Sequence, residues 1–75
     1  MPTKYLPLSD AAEELSRLTG LHIDYYILRM RINRTPADQL PAPVDRLYLR
    51  NWGREAAHLR EQDLPKWAKW LKEIM

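Results

Sequence analysis

Between residues 29 and 60 the chain carries Arg29, Arg31, Arg34, Arg46, Arg50, Arg54 and Arg60, and no lysine. A guanidinium is a planar fork of N–H donors. It can hold a phosphate, or the O6/N7 edge of guanine, through two parallel hydrogen bonds, which a lysine ammonium cannot do. The net charge of +2 conceals how these cations are placed. Residues 1–24 sum to −2, with Lys4 and Arg17 against Asp10, Glu13, Glu14 and Asp24. Residues 25–60 sum to +4, and residues 61–75 sum to zero. Positive charge confined to one stretch is the footprint of a nucleic-acid-binding face.

Other chemistries find few residues to use. The only histidines are His22 and His58, and there is no cysteine, which excludes disulfides and thiolate zinc sites. No metal-ligand cluster and no glycine-rich phosphate loop is present. Ser9, Asp10, Glu13 and Glu14 are accounted for by helix capping and helix polarity, and His58 by a surface pairing with Glu55. The expectation is a protein with no catalytic residues, no metal, no cofactor and no small-molecule substrate. No apolar run approaches the ~18 residues that a membrane span needs, and Met1-Pro2-Thr3-Lys4 lacks a signal-peptide core. An intracellular protein that does not enter a membrane is expected.

The elements that position these arginines must come from one domain, residues 1–75, because a chain of 75 residues forms a single small core. Tyr5-Leu6-Pro7-Leu8 reads as a short extended lead-in. Ser9 or Asp10 caps a first helix over about 10–19, with Asp10 and Glu13 at capping-box spacing. Ala11, Ala12, Leu15 and Leu18 form its apolar stripe, and Gly20 ends it in a left-handed conformation. A second helix over about 22–32 carries Ile23, Ile27 and Met30 at i, i+4, i+7, widened by Leu28 and Tyr26. On that reading Tyr25, Arg29 and Arg31 point away from the core, and Arg34 lies at the helix end.

Residues 33–45 hold Pro36, Pro41 and Pro43 and read as a loop. A β-hairpin over about 46–60 follows. Leu47 and Leu49 alternate on one strand and Ala57 and Leu59 on the other, around a tight turn at Asn51-Trp52-Gly53. Asp63 caps a last helix whose stripe is Leu64, Trp67, Leu71 and Ile74, with Trp70 beside it and Lys66, Lys69 and Lys72 outside. The fold class expected is mainly α (α+β), in the order helix, helix, hairpin, helix: a winged helix-turn-helix. In that arrangement Tyr25, Arg29, Arg31 and Arg34 belong to a helix presented to the major groove. Arg46, Arg50, Trp52 and Arg54 belong to a wing on the backbone or minor groove. The bland alternative is a solvated polar helix face, with Trp52 packed on its own hairpin. Tyr26 and Trp67 are expected in the core.

Several strings resemble the excisionase-like branch of the MerR-type winged-helix DNA-binding domains. Leu8-Ser9-Asp10-Ala11-Ala12-Glu13 is similar to that family's opening. Leu40-Pro41-Ala42-Pro43 followed by Leu47-Tyr48-Leu49 is similar to its approach to the first wing strand. His58-Leu59-Arg60-Glu61-Gln62-Asp63-Leu64-Pro65-Lys66-Trp67 resembles its closing signature. The chain departs from the pattern at Leu18-Thr19-Gly20-Leu21-His22, longer than the usual turn, and in the proline-rich loop.

The resemblance implies sequence-specific binding of double-stranded DNA. The roles it implies are those of an excisionase, that is a recombination directionality factor of a mobile element, or of a small phage-type transcriptional regulator. It also implies a cytoplasmic, nucleoid-associated location in a bacterial or phage-infected cell. An integrase or adjacent copies of the chain are the further partners implied. The alternative function is a protein-interaction module, a phage adaptor or host-protein inhibitor, that uses the Trp52/Trp70 surface. An RNA-binding role is disfavoured because no exposed aromatic platform is evident.

Overall fold

The structure, a computed structural model, describes residues 3–49 and 53–75. Arg50, Asn51 and Trp52, expected at the hairpin tip, lie outside the described residues. The elements run β1 (Tyr5–Pro7), α1 (Leu8–Thr19), α2 (Tyr25–Arg34), β2 (Asp45–Leu49), β3 (Arg54–Arg60) and α3 (Leu64–Ile74). Two single 3-10 turns, Ala37–Gln39 and Glu61–Asp63, precede β2 and α3. Among the described residues this is an α+β domain of three α-helices and one three-stranded antiparallel sheet, ordered β1-β3-β2.

The lead-in is thus a strand. Tyr5, Leu6 and Pro7 pair with Arg60, Leu59 and His58, which makes β3 the central strand. Pro7 can end β1 because that strand is an edge. α1 begins directly after it at Leu8, two residues earlier than expected, with Pro7 as N-cap and no side-chain cap. The capping box expected of Asp10 and Glu13 does not form. The expected stop does: Gly20 has φ 74° and its N–H bonds the Ser16 carbonyl.

The turn after Gly20 is closed by two hydroxyls of α1. Thr19 Oγ1 accepts from the Leu21 N–H at 3.1 Å, and Ser16 Oγ accepts from the Ile23 N–H at 3.0 Å. This tie buries Ile23 ahead of α2 rather than within it. Asp24 becomes the N-cap, its carboxylate accepting from the Ile27 N–H at 2.8 Å. α2 therefore starts three residues later than expected and ends two later, at Arg34.

That displacement turns the helix. Leu28 is its fully buried residue and Ile32 packs beside it on the core. Met30 (37%) and Tyr26 (74%), both expected inside, are exposed. Ile27 is half-buried.

The core itself joins α1, α3 and the sheet: Leu8, Ala11, Ala12, Leu15, Leu59, Leu64, Trp67 and Leu71 are all buried. The α3 stripe holds as expected except at Ile74, which is exposed near the chain end. Trp70 is half-buried and meets Trp67 edge to face at 5.5 Å. The hairpin register pairs Arg46 with Ala57 and Leu47 with Ala56. Directly paired residues share a sheet face, so Leu47 lies on the face opposite Ala57 and Leu59. Gly53 supplies the positive φ, 62°, expected at the turn. His58 is not at the surface. It is 6% exposed, with Nδ1 2.9 Å from the Ala56 carbonyl oxygen.

Candidate nucleic-acid interface

An open cleft of about 940 Å³ separates α2 from the hairpin. α2 contributes Tyr25, Arg29, Ile32 and Asn33 to it, and the hairpin contributes Arg46, Arg54, Glu55, Ala56 and Ala57. Pro7, Leu8 and Ser9, where β1 runs into α1, line it as well. The placement follows from elementary geometry. Residues 25, 29 and 33 are spaced at i, i+4, i+8 and form one row of α2. Arg46 and Glu55 share a face of the hairpin because they alternate with the Tyr48–Glu55 and Arg46–Ala57 pairings.

Tyr25, Arg29, Arg46 and Arg54 are thus brought to one cleft, as a shared surface requires. Three arginines against Glu55 leave it a formal charge of +2. Arg34 is exposed at the end of α2, outside the cleft. Arg31 is not part of this surface. Two positions from Arg29, it lies about 200° round the helix. It is half-buried, and its Nε is shielded from solvent with no hydrogen-bond partner. The earlier helix start expected from sequence misplaced it on the outer face. Arg50 and Trp52 fall outside the described residues. Arg60 stands apart from the cleft and pairs with Asp63.

The carboxylates of the chain select among its cations. Glu14 pairs with Arg17, Glu61 with Lys4 at 3.1 Å, and Asp63 with Arg60 at 2.6 Å. Among the described residues no carboxylate forms an ion pair with Arg29, Arg34 or Arg46. An exposed guanidinium without a counter-charge keeps its full fork of donors for a ligand. A second, shallower depression has the opposite character. Lys4 and Arg17 there face Asp10, Glu13, Glu14 and Glu61, a formal −2. The two depressions therefore carry opposite formal charge.

Asn33 is the residue of the cleft that sequence reasoning missed. It sits one turn beyond Arg29 on the same row. An amide there can bond the N6/N7 edge of adenine as a guanidinium bonds guanine. The signal was available in the i, i+4 spacing, but the residue was assigned to the loop. The exposed tyrosines Tyr26 and Tyr48 (63%) were missed as well.

Among the described residues no group of three or more His, Cys, Asp or Glu side chains could hold a metal. No helix among them is long and apolar enough to cross a membrane. No protein-family model matches the chain, and neither a curated protein nor a solved structure matches it.

Proposed function

We propose that this chain is a winged helix-turn-helix module that binds double-stranded DNA without catalysis. α2 is its recognition helix and the β2–β3 hairpin its wing. The observation that carries this reading is the cleft between them, edged by Arg29 and Arg46, neither of which forms an ion pair with a carboxylate among the described residues. The ten residues of α2 span about 15 Å, and a helix about 10–12 Å across fits a major groove ~12 Å wide. Arg29 and Asn33 reach base edges from the cleft row, with Tyr25 beside them. Arg46, Arg54 and Arg34 neutralise phosphates on either side. The acidic depression on α1 orients the domain, because it is repelled by the duplex as the basic cleft is attracted.

A single module of this kind buries ~600–1,000 Å² on DNA and binds modestly by itself. Function then requires adjacent copies or a partner protein. That requirement suits an excisionase that directs an integrase, or a small phage-type regulator acting at repeated sites. The alternative, an adaptor or inhibitor working through the Trp52/Trp70 surface, draws less support from Trp70, which is half-buried against Trp67, and Trp52 lies outside the described residues.

Fluorescence anisotropy with a labelled duplex tests the proposal. Wild-type protein is compared with Arg29→Ala/Arg46→Ala and with the control Lys69→Ala/Lys72→Ala, whose cations lie on α3. The cleft variant should lose at least tenfold in affinity while the control binds like wild type. Equal binding by both variants, or tighter binding of a single-stranded copy of the probe, would count against the proposal.

A further inference from the structure

The outermost row of α2 begins with two large, mainly apolar side chains where a solvated helix would be polar. Tyr26 and Met30, one turn apart, are both exposed, and Arg34 continues the row one turn further on. Leu28, the buried anchor of the helix, lies on the opposite side, so this row faces away from the domain. The Tyr26 ring is held in place: Tyr25 meets it edge to face at 5.4 Å with an interplanar angle of 78°. An aromatic fixed in this way loses little freedom on binding. Tyr26 is 74% exposed and Met30 37% exposed, and the row borders the cleft that carries Arg29 and Asn33.

We propose that Tyr26 and Met30 read thymine, through apolar contact with its C5 methyl group. This inference rests on the DNA-binding reading above and adds a ligand chemistry to it. The floor of the major groove presents hydrogen-bonding groups at every base pair, and its one apolar group is the thymine methyl. An exposed tyrosine ring and methionine on a helix that also carries Arg29 and Arg34 match that group. Arg34, at the far end of the row, then meets the backbone. Residues four apart are separated by about 6 Å along the helix axis. A base-pair step rises 3.4 Å. The two side chains therefore address methyls one to two base pairs apart. RNA offers no such group, and its deep, narrow major groove excludes the helix. A protein partner for the same row would leave thymine substitution without effect.

The test uses the full chain and duplexes selected from a random pool. Each thymine of a selected duplex is replaced in turn by deoxyuridine, which removes only the methyl. Replacement at one or two positions should weaken wild-type binding roughly fourfold each, the value of one buried methyl-sized group. Met30→Ala or Tyr26→Ala should bind more weakly than wild type and be indifferent to deoxyuridine at the matching position, as a double-mutant cycle requires. Both side chains are exposed, so the variants should unfold at the wild-type temperature. Selected duplexes that bind equally well with every thymine replaced, or that lack thymine altogether, overturn the thymine reading and leave DNA binding standing. Failure to retain any duplex from the pool overturns both.

Discussion

Arg60 Nε donates a 2.6 Å hydrogen bond to Asp63 Oδ2, and the pair fastens the end of β3 to the start of α3. The Asp63 side chain is only 3% exposed, and its other cation, Lys66, stands 3.9 Å away. Asp63 was expected to cap α3 through its side chain, but the carboxylate is turned to Arg60 and makes no cap hydrogen bond.

Arg60→Ala leaves a buried carboxylate without its main partner. Removing one member of such a pair strongly destabilises, here by about 2–3 kcal/mol because Arg60 is itself partly exposed. In a domain of this size that lowers the midpoint of thermal unfolding by roughly 10 °C or more. Calorimetry showing a change of less than 2 °C would mean that the pair is dispensable.

Ser16→Ala tests the clasp that sets the direction of α2. The Ser16 hydroxyl accepts from the Ile23 N–H and lies 2.5 Å from the Ile23 carbonyl oxygen. Its loss leaves a buried N–H unpaired at a cost of about 1–2 kcal/mol. Urea denaturation should show that loss. DNA affinity should fall as well, although Ser16 faces the interior, because the orientation of Arg29 and Asn33 depends on the clasp.

Gly20→Ala should cost about 1 kcal/mol. An added Cβ would meet no atom within 4 Å, so the whole penalty arises from the backbone at φ 74°. Gly20→Asn, which tolerates that conformation better, should recover part of it in the same denaturation series.

Arg29→Ala and Arg46→Ala should differ in kind. Loss of a base contact at Arg29 costs about 1–3 kcal/mol on the selected duplex and relaxes preference at one base pair. Loss of a phosphate contact at Arg46 weakens every duplex alike. Repeating the duplex selection with each variant separates the two. Identical selected sequences from Arg29→Ala and wild type would remove Arg29 from the reading of bases.

The parts of the fold that depend on neighbours in the chain were legible in the sequence. Gly20 ended α1 where its left-handed conformation was expected, and the α3 stripe of Leu64, Trp67 and Leu71 faces the core. Parts that depend on distant partners were not. β1 is three residues long and exists through its pairing with β3, which no local pattern reports. Ile23 continued the periodicity of the second helix, yet its burial comes from the Ser16 clasp, not from helix phase. Counting it as the first residue of the stripe rotated every later side chain, hiding Tyr26 and Met30 and placing Arg31 outside. The grouping of Arg29 with Arg46 and Arg54 around one cleft was within reach, because the arginines had already been divided between a helix and a hairpin. The pairing of Arg60 with Asp63 was not, because helix capping by Asp63 was the simpler local explanation.

Binding measured across a salt series tests the central claim most directly. Four to six phosphate contacts by Arg34, Arg46, Arg54 and their neighbours should give a slope of log K against log salt of about −4 to −5. The Arg46→Ala variant should reduce the steepness by about 1. A flat salt response, or no binding to any duplex at low salt, would contradict the assignment of this cleft to DNA.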